Sequence, residues 1–332
     1  MAKFRTDPPI GIVGIGSDAP EGLLTNQDLE RLVDTSDEWI VERTGIRTRH
    51  IADAATTTST LASRAAQRAL DDAGVAGAEV DLIIVGTATP DMLFPSTACL
   101  VQQKIGAVHA AAFDLAAACT GFIYGLNVAA GMIRNGTHTT ALVIGAETLS
   151  KIMDFTDRST CVLFGDGAGA AVVRETTDGS RILSTCIRSD GSLGEMLMLP
   201  AGGSLHPATH ETVEKRMHYI KMNGNNVFKS AVKSMSEIVL RGLADAGMEA
   251  ADIDLFIPHQ ANLRIIEATA RKVGIPMEKV FVNVDRYGNT SAASIPIAVD
   301  EARRQGVLKK GQVFAGVAFG AGFTWGSAVI RY

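Results

Sequence analysis

The sequence states one helix–turn–strand unit twice. ALDDAGVAGAEVDLIIVG at 69–86 is matched by GLADAGMEAADIDLFIPH at 242–259, with Gly74 against Gly247 and Asp81 against Asp254. In each copy an amphipathic helix stops at a glycine, and a buried apolar strand follows after a short turn. Farther along, the helix ending Arg134-Asn135-Gly136 matches the one ending Arg304-Gln305-Gly306, at a slightly shorter offset that sets Cys119 opposite Asn289. On the first offset His259 falls opposite Gly86. Two matches in the same order predict a duplicated βα architecture, with different polar residues at equivalent strand or helix ends, where open α/β sheets place their ligand sites. TTDGS at 176–180 is the most polar, turn-like break near the middle, so the expected halves are 1–178 and 179–332.

Around this repeat, strands and helices alternate. Ile10 to Ile15, Asp81 to Thr87, Thr140 to Ala146 and Ala168 to Val173 read as strands. Helices are expected over Asn26 to Val33, from a capping box at Thr35 to Glu38 up to Gly45, over Leu61 to Ala73, and from Ser96 to Gly106. The chain has 332 residues, 46% hydrophobic and 20% charged, enough to bury a substantial core. A net charge of -5 without a basic run argues against nucleic acid as a partner. The start MAKFRTDPPIG has no apolar h-region, so a cytoplasmic protein is expected. Cysteines at 99, 119, 161 and 186 show neither C-x-x-C spacing nor a nearby histidine, so reduced thiols are expected, with no zinc.

FDLAAACTGFIYGLNVAAGM at 113–132 is the stretch that carries a candidate for chemistry. Ala112 to Leu115 reads as the end of a strand, and Phe122, Leu126, Ala129, Ala130 and Ile133 recur at helical spacing, which sets Cys119 at a strand-to-helix turn. A thiol at a helix N-terminus meets unpaired N–H groups and aligned dipoles, so it is expected to ionise more readily than a free one. An inert core cysteine fits the stretch alone at least as well. The uncharged run from Leu115 to Ile133 is long enough to cross a bilayer, but its Ala and Gly content, with Thr120, Tyr124 and Asn127, points to a helix buried between protein layers.

Two further residues occupy comparable positions. Ile253 to Ile257 runs straight into Pro258-His259-Gln260-Ala261-Asn262, which sets His259 at the C-terminal end of a strand. In YGNTSAAS at 287–294 a glycine turn presents Asn289 before a small-residue helix, where an ordinary N-cap is the plainer reading. A cysteine, a histidine and an asparagine at matching ends together fit a thiol nucleophile with two polar side chains facing its substrate. GDGAGAA at 165–171 lacks a Walker lysine and the full dinucleotide spacing, and a strand-like AAVV overlaps its end, so close backbone packing is expected, and neither NAD nor ATP is implied.

At this point the motifs, taken in order, resemble those of the β-ketoacyl-[acyl-carrier-protein] synthase III family. They are DTSDEWIVERTGIRTRHI at 34–51, FPSTAC at 94–99, AAACTGF at 116–122, TDRST at 156–160, FGDGAGAAV at 164–172, PHQANLRI at 258–265, GNTSAAS at 288–294 and FGAGFTWGSA at 319–328. The resemblance implies an α/β thiolase fold, two duplicated βα domains in a five-layered αβαβα arrangement. It also implies an acyltransferase that condenses acetyl-CoA, as a substrate, with malonyl-[acyl-carrier-protein], and a homodimer with no membrane or nucleic-acid partner.

The resemblance assigns roles as well. Cys119 would be the nucleophile, with His259 and Asn289 as donors to the developing enolate, and the backbone N–H groups of Cys119 and Ala321 would form the oxyanion hole. Many members have glycine where this chain has Ala321, so the donor survives only if the backbone there suits a residue with Cβ. Trp39 and Arg158 would sandwich adenine, Arg43 would lie near the nucleotide phosphates, and Thr35, Gly224, Asn225, Phe228 and Asn262 would line the path of CoA and pantetheine. Phe94 would close the acyl pocket from across the dimer interface. Lys229, Arg264 and Arg271 would dock acyl carrier protein; as plain residues they fit a solvated face equally well. Two other readings remain open: a condensing enzyme that uses a different primer, and a silent acyl-CoA or acyl-carrier binding module on the same fold.

Overall fold

The computed structural model describes residues 8–332, and its frame is a pair of sheets. The first contains β1 (Ile10–Asp18), β2 (Leu82–Gly86), β3 (Ala111–Leu115), β4 (Thr140–Glu147) and β5 (Gly167–Glu175), in the order β1-β5-β4-β2-β3. The second contains β6 (Arg181–Ser189), β7 (Leu255–Pro258), β8 (Val313–Gly320) and β9 (Thr324–Arg331), in the order β6-β9-β8-β7. Pairing is parallel for β2 with β3 and β4, and for β7 with β8; the remaining pairs are antiparallel. The two sheets therefore share one plan, and the second lacks a partner for β3.

The helices of eight or more residues are α1 (Asp37–Thr44), α2 (Thr58–Ala73), α3 (Thr97–Lys104), α4 (Gly121–Arg134), α5 (Gly224–Asp245), α6 (Leu263–Val273) and α7 (Ser294–Arg304). One outer layer is α2, whose buried stripe of Leu61, Ala62, Ala65, Ala66, Ala69 and Leu70 lies on β1, β4 and β5. Each leucine there contributes about 2 kcal/mol by leaving water. The opposite outer layer is α5, which covers β6, β8 and β9 with Met235, Ile238, Val239 and Leu243 buried. Between the sheets run α4 and α7. From Gly121 on, the uncharged run is thus a helix closed in protein on both sides, and no helix among the described residues is long and apolar enough to cross a membrane.

GDGAGAA packs as its composition predicts. Gly169 approaches α7 so closely that a Cβ would stand 2.7 Å from Pro296 Cβ. Two local expectations fail. The helix from Asn26 ends at Glu30, short of Val33. The N-cap of α1 is Ser36, whose hydroxyl accepts from Trp39 N, so Thr35 does not form the expected capping box.

The register of the duplication also needs correction. Gly74 and Gly247, Asp81 and Asp254, and the first residues of α4 and α7, Gly121 and Ser294, all lie 173 apart. So do the first residues of β4 and β8, Thr140 and Val313. Asp81 accepts from Thr140 N at 3.1 Å and Asp254 from Val313 N at 2.8 Å, one bond stated twice. The 170-residue match of Arg134 with Arg304 is confined to the helix ends, because α7 has 11 residues and α4 has 14. In space Cys119 corresponds to Ala292, and Asn289 arrives from a segment one turn earlier.

Candidate functional site

Strand β3 stops at Leu115, and a single turn of 3-10 helix, Ala118–Thr120, leads into α4. Ala118 holds φ of 45°, a left-handed conformation that reverses the chain and turns Cys119 toward the second half. Its counterpart Ser291, 173 residues on, holds φ of 49° before α7. Thr120 fastens the turn by donating to Ala117 O at 2.6 Å, with Thr324 Oγ1 2.7 Å from the same hydroxyl. The β8–β9 hairpin presses on it from the other side, since a Cβ at Gly320 would stand 2.7 Å from Cys119 N.

His259 follows β7, and its N–H donates to Val317 O at 2.8 Å. The loop behind it is locked by Gln260, which donates to Pro258 O and Phe281 O and accepts from Asn283 N and Val284 N. The ring's Nδ1 lies 2.6 Å from Ser294 Oγ, whereas Nε2 is buried without a partner. Burial holds this imidazole neutral by pushing it down to about 3. Asn289 comes from the segment that takes the place of a fifth strand in the second half. Its backbone pairs instead with the first half, donating to Leu163 O at 2.8 Å and accepting from Gly165 N at 3.0 Å. Asn289 Oδ1 accepts from Ser291 N at 2.8 Å, so the side-chain N–H₂ is the end left for a ligand.

These three side chains line one cavity of about 240 Å³, which runs past Phe319, Met235, Val227 and Phe228 to Trp39 and Arg43 at the surface. Cys119, His259 and Asn289 are 7%, 3% and 7% exposed, so the reactive end is buried. That burial runs against the expectation of an easily ionised thiol. Burial pushes Cys119 up to about 12, Ser291 pulls it back by hydrogen bonding, and the buried Glu147 carboxylate raises it again. Helix-end stabilisation does not prevail against desolvation here.

The other expected residues separate into groups. Gly224, Phe228 and Asn262 line the cavity; Thr35, Asn225 and Arg158 do not. Asn262 caps α6 by accepting from Arg264 N, and it donates to Arg43 O at 2.9 Å, which ties α6 to the end of α1. Arg158 and Arg43 stand 4.7 and 5.7 Å from the Trp39 ring centre. An aromatic base between Trp39 and Arg158 needs roughly 7 Å, two contact distances, so the exposed guanidinium of Arg158 must swing out to admit one. Lys229, Arg264 and Arg271 are exposed, and none has an ion-pair partner among the described residues; Arg264 lies over Phe228 at 5.8 Å. Ala321 sits in the hairpin without a positive φ, so its Cβ does not strain the backbone there. Phe94 is outside this chain's cavity and 85% exposed, beside Leu93 at 79%.

Sequence reasoning missed Ser291, Ser294 and Glu147. The serines stood inside a quoted motif, and Glu147 is a carboxylate at the C-terminal end of a buried strand, a position that ligand sites favour.

The chain matches two family models, 3-Oxoacyl-[acyl-carrier-protein (ACP)] synthase III over residues 113–191 and its C-terminal model over 243–332. It is 56% identical over 322 residues to the β-ketoacyl-[acyl-carrier-protein] synthase III of Caldanaerobacter subterraneus subsp. tengcongensis, covering 97% of each chain. Identity to the protein of the same name from Desulfitobacterium hafniense is 55%, over 97% of this chain and 98% of that one. Among solved structures, the 3-oxoacyl-[acyl-carrier-protein] synthase III of Aquifex aeolicus superposes with TM-score 0.90 at 50% identity, over 97% of this chain and 100% of that chain. The priming β-ketosynthase of the R1128 polyketide pathway gives 0.89 at 34%, over 98% of each.

Proposed function

The chain belongs to the β-ketoacyl-[acyl-carrier-protein] synthase III family, condensing enzymes that initiate fatty-acid synthesis, and on that premise we propose that it joins acetyl-CoA to malonyl-[acyl-carrier-protein] in two half-reactions through Cys119. The observation that supports this reading best is the buried, unpartnered Nε2 of His259 in the same cavity as the thiol and the free amide of Asn289. A lone buried donor costs stability unless a ligand completes it.

In the first half-reaction the Cys119 sulfur attacks the acetyl thioester, a C–S bond to the enzyme forms, and CoA leaves as its thiolate to take a proton from solvent. The backbone N–H groups of Cys119 and Ala321 receive the tetrahedral oxyanion; removing one such donor typically costs ~3 kcal/mol of transition-state stabilisation. Malonyl thioester then loses carbon dioxide, and the electron pair of the broken C–C bond becomes an enolate. His259 donates through Nε2 when Nδ1 accepts from Ser294, and Asn289 donates through its amide, so two neutral donors meet the new negative charge. The enolate carbon attacks acetyl-Cys119, and the sulfur leaves with its electron pair. The product is acetoacetyl-[acyl-carrier-protein].

The unpaired cations Lys229, Arg264 and Arg271 support docking of an acidic carrier protein beside the cavity mouth. Exposed Phe94, Leu93 and Val108 beside the open edge of β3 support a homodimer in which Phe94 enters the partner's acyl pocket. The absence of a basic run and of a spanning helix among the described residues accords with work in the cytoplasm on soluble substrates. Intact-mass analysis after mixing with acetyl-CoA, then with malonyl-[acyl-carrier-protein], tests the proposal. A gain of one acetyl group that malonyl carrier discharges as acetoacetyl product is expected. An unmodified mass, or an adduct that malonyl carrier leaves in place, overturns it.

A further inference from the structure

A thiol held up to about 12 leaves open where its proton goes when it attacks a thioester. Burying a new charge is costly, so the transfer is easiest if a negative charge already in the site is moved and none is created. Glu147 supplies one. It ends β4 with its side chain fully enclosed, accepting from Thr89 Oγ1 at 2.6 Å, Thr87 Oγ1 at 3.2 Å and Ala88 N at 3.1 Å. Ser291 reaches both groups: its neighbour Ala292 packs against Gly145, two residues before Glu147, and against Gly121, two residues after Cys119, and the Ser291 hydroxyl favours the charged form of the carboxyl and of the thiol alike. Ser291 holds a left-handed φ, stabilised by its N–H bond to Asn289 Oδ1. His259 offers no alternative as acceptor if its Nε2 is protonated, as the decarboxylation step requires.

We propose that Glu147 is the proton store of the condensation cycle, exchanging a proton with Cys119 through the Ser291 hydroxyl. As the sulfur attacks, the S–H bond breaks and its proton passes to Ser291 Oγ while the Ser291 proton passes to Glu147, so the negative charge moves from the carboxylate to sulfur. Glu147 keeps the proton while the acetyl group stays on the enzyme. When the condensation expels Cys119 as a thiolate, the same two transfers run backwards and restore the thiol, balancing both half-reactions. Glu147 does not touch substrate; it acts through Ser291 and positions that hydroxyl.

The protonation behaviour of Glu147 agrees with this geometry. Burial pushes the carboxyl up to about 7, where it accepts and returns a proton near neutrality. The groups facing it are hydroxyls and an amide from the segment after β2, the Ser291 hydroxyl before α7, and one titratable group, Cys119 before α4. His259 is neutral across the range concerned.

The proposal rests on the acetyl-transfer reading, and one experiment separates the two. The rate of Cys119 acetylation by acetyl-CoA is measured in single turnovers by intact mass from pH 5.5 to 9.5, for wild type, Glu147→Gln and Ser291→Ala. Wild type should rise to a plateau with an inflection near pH 7. Both variants should lose that inflection, rise continuously with pH and be roughly 100-fold slower at pH 7, the usual scale of a lost general base. The double variant should be no slower than either single one. Variants that are slower by one factor at every pH, with the inflection kept, would show a structural role and overturn the relay, as would an unchanged Ser291→Ala. Should Glu147→Gln fail to fold, Ser291→Ala decides alone. A wild type that takes no acetyl group refutes the acetyl-transfer reading instead.

Discussion

Ser294 Oγ lies 2.6 Å from His259 Nδ1, and that contact leaves Nε2 as the one ring nitrogen turned into the cavity. A neutral imidazole donates from only one nitrogen, so the serine selects the tautomer. Ser294→Ala should therefore slow malonyl decarboxylation roughly tenfold while acetylation of Cys119 is spared. His259→Ala and Asn289→Ala should slow decarboxylation by roughly 100-fold or more, again far more than acetylation. Release of labelled carbon dioxide, set against acetyl incorporation, measures both; the reverse ranking would mean the roles are exchanged.

Cys119→Ala and Cys119→Ser should abolish acetyl transfer with the fold intact, because a hydroxyl is far less ionised and less nucleophilic than a thiol. Radiolabelled acetyl-CoA reads the transfer and circular dichroism reads the fold. Full labelling of the alanine variant would remove Cys119 from the mechanism.

Arg264→Glu, and to a smaller degree Lys229→Glu, should raise KM for malonyl-[acyl-carrier-protein] roughly tenfold, with little change in acetylation by CoA, because steering acts on the acidic protein. Parallel assays with the carrier-borne substrate and free malonyl-CoA distinguish the cases. Equal weakening of both would show that this rim does not dock the carrier.

Phe94→Thr should shift primer preference toward longer chains. A phenyl ring that fills the partner's pocket excludes octanoyl and longer groups, and removing it leaves space at some cost to stability or dimerisation. Across acyl-CoAs of two to twelve carbons, the variant should gain roughly tenfold or more in relative kcat/KM for octanoyl, against a wild type favouring acetyl and propionyl. An unchanged profile with lower stability would show that Phe94 only packs.

Glu147 should cost stability in alkaline solution. Its folded carboxyl is raised from 4.5 to about 7, so the folded state binds more protons than the unfolded state between those values, and the stability held below pH 4.5 is lost as pH rises through 7. The loss amounts to about 3 kcal/mol. Glu147→Gln keeps the hydroxyl contacts without the charge, so its stability relative to wild type should increase by about that amount between pH 4.5 and pH 9. Urea melts at both pH values measure it; a constant difference would show that the carboxyl does not titrate in this window.

The layers were legible because their patterns are local. Strands enclosed on both faces, such as β2, read as unbroken apolar runs, and α2 announces its own stop at Gly74, which adopts the left-handed conformation. The cavity gathers Cys119, His259 and Asn289, whose strand-end and turn positions could be read one at a time. Other features come from segments distant in sequence and leave no pattern. The partners of Glu147 include Thr87, 60 residues away, and Ser291 in the other half. Arg49 looks like a surface cation, yet it is fully buried and donates to Asn26 Oδ1 and Val162 O. The slip that set Cys119 opposite Asn289 arose because helix ends repeat short polar triplets, and only the strands on either side reveal that α7 is one turn shorter.

The missing fifth strand of the second sheet gives the duplication an unequal outcome. Residues 284–288, which correspond to β3, include a helical turn, Val284–Tyr287, and deliver Asn289 to the first half. One copy of the ancestral edge has thus been given over to chemistry, and the other remains available for pairing. In the proposed homodimer, β3 meets its own twofold copy and the assembly closes at two subunits. Had both copies kept a free edge, each molecule would offer two sticky ends, and the same pairing would propagate into open-ended chains instead of stopping.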